Sequence, residues 1–97
     1  MIFHISAQHD HTTCLRVLEG NDAMRERQSW LEGTESVNVI GAWAYPVSHR
    51  QFAVVEAETF ADVASLFEFH LGMGPVEVLP VHDSVKRRKE MGHWGSN

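Results

Sequence analysis

Residues 36–57 read SVNVIGAWAYPVSHRQFAVVEA, and they decide the fold. Two runs, 36–45 and 51–57, are rich in Val, aromatic and small residues, the composition that suits a pleated, half-buried surface. Between them lies Pro46-Val47-Ser48-His49-Arg50, a connection of hairpin length. The stretch therefore predicts a two-stranded antiparallel unit, and the rest of the chain is read by asking what flanks it. Upstream, MIFHISAQ (1–8) alternates: Phe3, Ile5 and Ala7 fall on one face, His4, Ser6 and Gln8 on the other. That is a further strand. His9-Asp10-His11-Thr12-Thr13 is a turn with Asp10 or Thr12 placed to cap a helix start. A short apolar stripe of Leu15, Val17 and Leu18 is interrupted by Gly20-Asn21-Asp22. A second helical stretch over 22–32 sets Met24, Trp30 and Leu31 against the body, and Gly33 ends it.

Downstream of the hairpin, Thr59-Phe60-Ala61-Asp62 fits a capping box with Asp in place of Glu. Phe60, Val63, Ala64, Phe67 and Leu71 come next at helical spacing until Gly72-Met73-Gly74-Pro75 stops the helix. The last strand is VEVLPVH (76–82), where Pro80 lacks a ladder donor and predicts an edge position or a bulge. The order strand, helix, strand, strand, helix, strand predicts an α+β fold, the ferredoxin-like βαββαβ split sandwich with both helical segments on one sheet face. The other face is left with large apolar groups whichever parity packs inward: Val37, Val39, Trp43 and Tyr45, or Ile40 with small alanines, and Phe52 and Val54 against Val55. Exposing such a face costs about 25 cal/mol per Å² of apolar surface. A twofold dimer with the sheets face to face, a dimeric α/β barrel, removes the cost.

Ninety-seven residues make one domain, expected over 1–83, with 84–97 a partly disordered C-terminal tail. Trp94 in that tail either docks on a neighbouring subunit or stands in solvent. The net charge of −5 argues against nucleic-acid binding, and the basic run Lys86-Arg87-Arg88-Lys89 reads as a solvated terminus. The single cysteine, Cys14, cannot form an internal disulfide. No apolar run approaches the roughly 20 residues that span a bilayer, and the N-terminus lacks the pattern of a signal peptide. The expectation is a cytoplasmic protein with no membrane partner.

The runs Val39-Ile40-Gly41-Ala42-Trp43, Phe52-Ala53-Val54-Val55-Glu56-Ala57 and Val76-Glu77-Val78-Leu79-Pro80-Val81 resemble a group of small, uncharacterised bacterial domains of the dimeric α/β-barrel superfamily, over about residues 1–83. The resemblance implies a ferredoxin-like homodimer. It implies no single activity, because that superfamily is similar in fold to cofactor-independent monooxygenases, haem-degrading enzymes, muconolactone isomerases, stress-responsive proteins and metal-binding proteins.

The topology gathers chemistry at one rim of the sheet. His9, His11, His49, His70, Cys14 and Tyr45 all belong to the end where the first strand stops and the hairpin turns. Imidazole suits Zn, Cu, Ni or Fe, so His9, His11, His49 and His70 are candidate ligands of a divalent transition metal. Cys14 reads as a small packed residue. His4 lies mid-strand with Glu56 on a neighbouring strand, an acid–base pair or a hydrogen-bonded interface histidine. His4, Trp43, Tyr45, Phe67 and His70 are candidates to line a pocket for a small apolar or aromatic molecule, and His4, Glu56 and His70 are the catalytic candidates. The leading expectation is a small-molecule-binding dimer. A cofactor-independent monooxygenase or isomerase and a histidine-based metal-binding protein are the alternatives. No phosphate loop, nucleophile elbow, His-Glu-x-x-His or zinc-type cysteine pair is present.

Overall fold

The computed structural model describes residues 1–95, with Leu15 and Arg16 described in backbone only. Strand β1 (Ile2–Gln8) leads through α1 (Leu15–Glu19), α2 (Asn21–Arg27) and a 3-10 turn (Gln28–Glu32) into β2 (Val37–Tyr45). A short 3-10 turn (Pro46–Ser48) returns the chain as β3 (Arg50–Ala57). Helices α3 (Phe60–Leu66) and α4 (Glu68–Leu71) precede β4 (Val76–Val81), and α5 (Ser84–Glu90) comes after it. The four strands form one antiparallel sheet in the order β2-β3-β1-β4. This is an α+β architecture consistent with a ferredoxin-like fold, with the 36–57 hairpin as predicted and Pro80 on the edge strand β4.

The alternation in β1 is realised: Phe3, Ile5 and Ala7 are buried with Val55, Ala53, Val37, Trp30, Val63 and Phe67 on the helix side. Ile2, His4 and Ser6 face the opposite way, paired with Glu56, Val54 and Phe52 on one flank and Val81, Leu79 and Glu77 on the other. Strand β2 departs from both parities expected of it. A bulge between Val39 and Gly41 shifts the register, so Val37 and Val39 face the helices before it and Ala42 and Ala44 after it. Trp43 and Tyr45 are thereby turned outward, and Ile40 is exposed too. The Trp43 indole lies back across Gly41, where a Cβ would stand 2.7 Å from the ring. The outward face thus carries Trp43, Tyr45, Phe52, Val54, Leu79 and Val81, each exposed or half-buried.

The helix expected as one piece from Thr59 to Leu71 breaks at Phe67 (φ −100°, ψ 12°). Thr59 caps it as the sequence suggests, its Oγ1 accepting the Asp62 N–H at 3.2 Å. The break rotates α4 relative to α3. Phe67 and His70 turn inward while Phe60 and Leu71, expected in the apolar stripe, are each 58% exposed. The second stretch of the first connection, expected helical over 22–32, tightens to a 3-10 turn at Gln28, and this drives Trp30 into the core.

The tail from residue 84 carries a helix that the sequence reading does not place. Asp83 caps it, accepting the Lys86 N–H at 3.0 Å. Every described residue from Leu79 onward is exposed, and Lys89 sits 4.7 Å above the exposed Trp94 ring. The Cα radius of gyration is 15.8 Å, against about 12–13 Å for a compact chain of this length, so the C-terminal arm stands off the domain. Among the described residues no helix is long and apolar enough to cross a membrane.

Among the glycines, Gly74 leaves the least room for a side chain. A Cβ there would lie 1.9 Å from the Gln8 carbonyl oxygen, backbone that cannot rotate aside. Gln8 N–H donates to the Pro75 carbonyl at 3.0 Å just beside it. Gly74→Ala is expected to cost about 3 kcal/mol of stability, read as a drop in urea midpoint. An unchanged midpoint would contradict this packing.

Candidate metal centre

The end of β1 is clamped between two turns. Gln8 is the clamp: its side-chain amide donates to the Ser48 carbonyl at 2.6 Å, to the His9 carbonyl at 2.9 Å and to the His49 carbonyl at 3.3 Å. His9 N–H donates to the His49 carbonyl at 3.1 Å. These bonds fix the β2–β3 turn against the first residue after β1. His49 itself adopts a left-handed conformation (φ 56°) at the close of the Pro46–Ser48 turn. That is costly for a residue with a Cβ and persists where the surroundings impose it. The outcome is that the His9 and His49 rings meet edge to face, 5.1 Å between centroids.

The next turn brings in the third group. Asp10 organises it, its carboxylate accepting the Thr12 N–H at 2.7 Å and the Thr12 hydroxyl, while its carbonyl accepts the Thr13 N–H at 3.1 Å. These bonds hold the Asp10 carboxyl below its usual range. The turn delivers Cys14 to the start of α1, where its carbonyl accepts the Val17 and Leu18 N–H groups. Cys14 is buried and both imidazoles are half-buried. A ring nitrogen of His9, the Cys14 sulfur and a ring nitrogen of His49 all lie within 4.8 Å of one another. Movements of an ångström or so would close these atoms onto a single ion at the usual Zn–N and Zn–S lengths of about 2.0–2.3 Å. Burial lowers the His9 pKa, the neighbouring His49 lowers it further, and Asp10 opposes both. A ligand imidazole must be neutral, and this shift favours that form.

His11 does not join the group; it lies in the exposed Asp10–Thr13 turn. His70 lies close behind it but in different surroundings. It is 8% exposed, with Trp30, Phe67 and Phe69 rings at 5.1, 5.2 and 6.1 Å. Its Nδ1 is buried without a hydrogen-bond partner. Burial pushes its pKa down to about 4, helped by the charge of His9. A small recess of about 70 Å³ connects His70 with His9 and Cys14.

The unfolded chain protonates the His70 imidazole near 6.5, whereas the folded chain resists until about 4. Between those values the unfolded state binds more protons, so stability falls as pH falls through that window. The full difference is about 3 kcal/mol. His70→Phe is expected to flatten the stability profile between pH 6.5 and 4 in urea titrations at several pH values. A profile as steep as that of the parent protein would contradict the assignment.

The other candidates are divided between the sheet faces. Phe67 is core, 1% exposed, and His70 lies on the same side. His4 and Trp43 lie on the open face, so the five residues proposed to line one pocket do not share one within a single chain. Glu56 is on the open face, exposed, two positions along β3 from Val54, the partner of His4. Cys14 is the residue that the sequence reading left out of the ligand set. Its signal was the spacing His9-x4-Cys14, with a turn-forming Asp10 between.

Residues 1–93 match the family DUF3303, a domain of unknown function. No curated protein matches the chain. Among solved structures the fold is similar to that of SCO4226 from Streptomyces coelicolor A3(2), with a TM-score of 0.51 and 19% identity, over 86% of this chain and 100% of that one.

Proposed function

We propose that this chain, which belongs to the DUF3303 family, is a transition-metal-binding protein that works as a homodimer. The observation that carries the metal reading is the convergence of His9, Cys14 and His49 within 4.8 Å. Two imidazoles and a thiolate are a donor set that Zn, Co and Cu accept. His9 and His49 sit on turns tied to a sheet end by backbone and Gln8 hydrogen bonds, and Cys14 follows the self-closed Asp10–Thr13 turn, which lowers the cost of ordering the three. The cytoplasm, where a lone thiol stays reduced, is the compartment that suits the site. The test is titration of untagged protein with Co(II). One equivalent should bind with a thiolate-to-cobalt charge-transfer absorption that Cys14→Ser abolishes. A folded parent protein that binds neither Co(II) nor Cu(I) would refute the reading.

The homodimer reading rests on the open sheet face. Two ferredoxin-like split sandwiches packed face to face form the dimeric α/β barrel, and Trp43, folded back over Gly41, offers the large rigid contact that interfaces favour. Pairing also encloses His4 and Ser6 between the copies. A small apolar or aromatic molecule held there is a second reading, favoured by Trp43 and Phe52 flanking those polar groups. Native mass spectrometry showing a dimer with added small-molecule mass supports it; a dimer of bare chain mass refutes it.

A further inference from the structure

We infer that the centre is built for monovalent copper rather than for a divalent ion, with the Met24 thioether as fourth donor; this deepens the metal-binding reading above and rests on it. A recess of about 220 Å³ opens onto all three donors at once. Its wall includes His9, Cys14 and His49, and the one other sulfur in it belongs to Met24. Met24 also lines the smaller recess that His9 and Cys14 share with His70. It stands on α2 with its side chain half-buried, and its three rotatable bonds let the sulfur adjust to an ion. The resulting set is two imidazoles, a thiolate and a thioether.

Two independent considerations select copper(I). The first is softness. Thiolate and thioether ligands favour Cu(I), whereas a thioether is not among the ligands zinc commonly takes. The second is charge. Among the described residues no carboxylate lines the recess, and the charged side chain that does is Arg50. The nearest carboxylate in sequence, Asp10, is engaged with Thr12. One thiolate neutralises a monovalent ion. A divalent ion would leave a net positive charge in a half-buried site beside a guanidinium, which is unfavourable. The divalent ion expected from the histidines alone is thus the poorer match.

The experiment is competition of the full chain, without air, against a chromophoric Cu(I) chelator and separately against a Zn(II) chelator, in the parent protein and Met24→Leu. The parent should hold Cu(I) more tightly than Zn(II). Met24→Leu should weaken Cu(I) by at least about tenfold and leave Zn(II) unchanged. Leu conserves volume and helix propensity, and thermal melting checks that the variant is folded. X-ray absorption of the Cu(I)-loaded proteins gives a second readout: two sulfur scatterers in the parent and one in the variant. Unchanged Cu(I) affinity in the variant, or Zn(II) held as tightly as Cu(I), overturns the copper assignment and leaves the metal-binding reading standing. A folded parent protein that binds neither metal overturns both.

Discussion

Val54→Glu is expected to convert the proposed homodimer into a folded monomer. Val54 lies on β3, one of the two inner strands, opposite His4 on β1 and Gly41 on β2. It is therefore central in the open face rather than at its rim. In a twofold sheet-to-sheet pairing, a carboxylate there is stripped of water and faces the apolar centre of the other copy, with its symmetry mate close by. A disruption of about 4 kcal/mol, the size seen at interface hot spots, weakens association about a thousandfold. Val54 is not part of the buried core on the helix side and its side chain faces the other way, so the monomer itself should lose no more than about 1 kcal/mol. Sedimentation velocity reads both states, and circular dichroism checks the fold. A parent protein that sediments as a monomer at high concentration, or a variant that remains dimeric, would contradict the pairing.

The second large effect is loss of metal on removal of a ligand, and His49→Gly is the cleanest way to see it. His49 sits at φ 56°, where a side chain costs about 1–2 kcal/mol. Glycine relieves that strain while adding entropy to the unfolded chain, about 0.4–1 kcal/mol in the opposite direction. The net change in stability is therefore small. The imidazole is nonetheless gone, and affinity for Cu(I) or Co(II) should fall at least about a hundredfold, beyond the effect of losing a supporting contact. His9→Ala and Cys14→Ser should do the same, whereas His11→Ala, on the exposed turn, should not. Equilibrium dialysis with metal analysis separates these outcomes. Equal affinities for His49→Gly and the parent protein would remove His49 from the site.

Much of the fold was legible because its signals are local. The alternation of Phe3, Ile5 and Ala7 fixed the inner face of β1. The 36–57 hairpin, the Thr59 cap and the edge placement of Pro80 were all readable from residue types. The tail helix and the tightening at Gln28 were not, and neither were two larger irregularities. The bulge at Val39/Gly41 is a one-residue offset that reverses the sense of every later side chain in β2, and Gly41 was its one local trace. The break at Phe67 interrupts a stripe whose spacing is compatible with an unbroken helix. Burial of Phe67 and His70 against Trp30 decides the matter, and that is a tertiary contact.

The site was legible in part for the same reason. The topology placed His9, His49 and Cys14 at one rim, which is a consequence of strand order. Which of the rim groups meet is set by closure of particular turns: the three carbonyls held by the Gln8 amide, and the Asp10 carboxylate closing on Thr12. None of these bonds has a sequence pattern distinctive enough to read beforehand. His11 was placed in the ligand set by type and proximity in sequence, and the turn leaves it outside.

The most direct measurement is anomalous diffraction at the metal absorption edge from crystals of metal-loaded, untagged protein. One strong peak per chain is predicted between the His9 ring, the Cys14 sulfur and the His49 ring, at about 2.0–2.3 Å from each donor. A peak held by other residues, such as the tail histidines, or a fully soaked crystal with no peak at that rim, would contradict it.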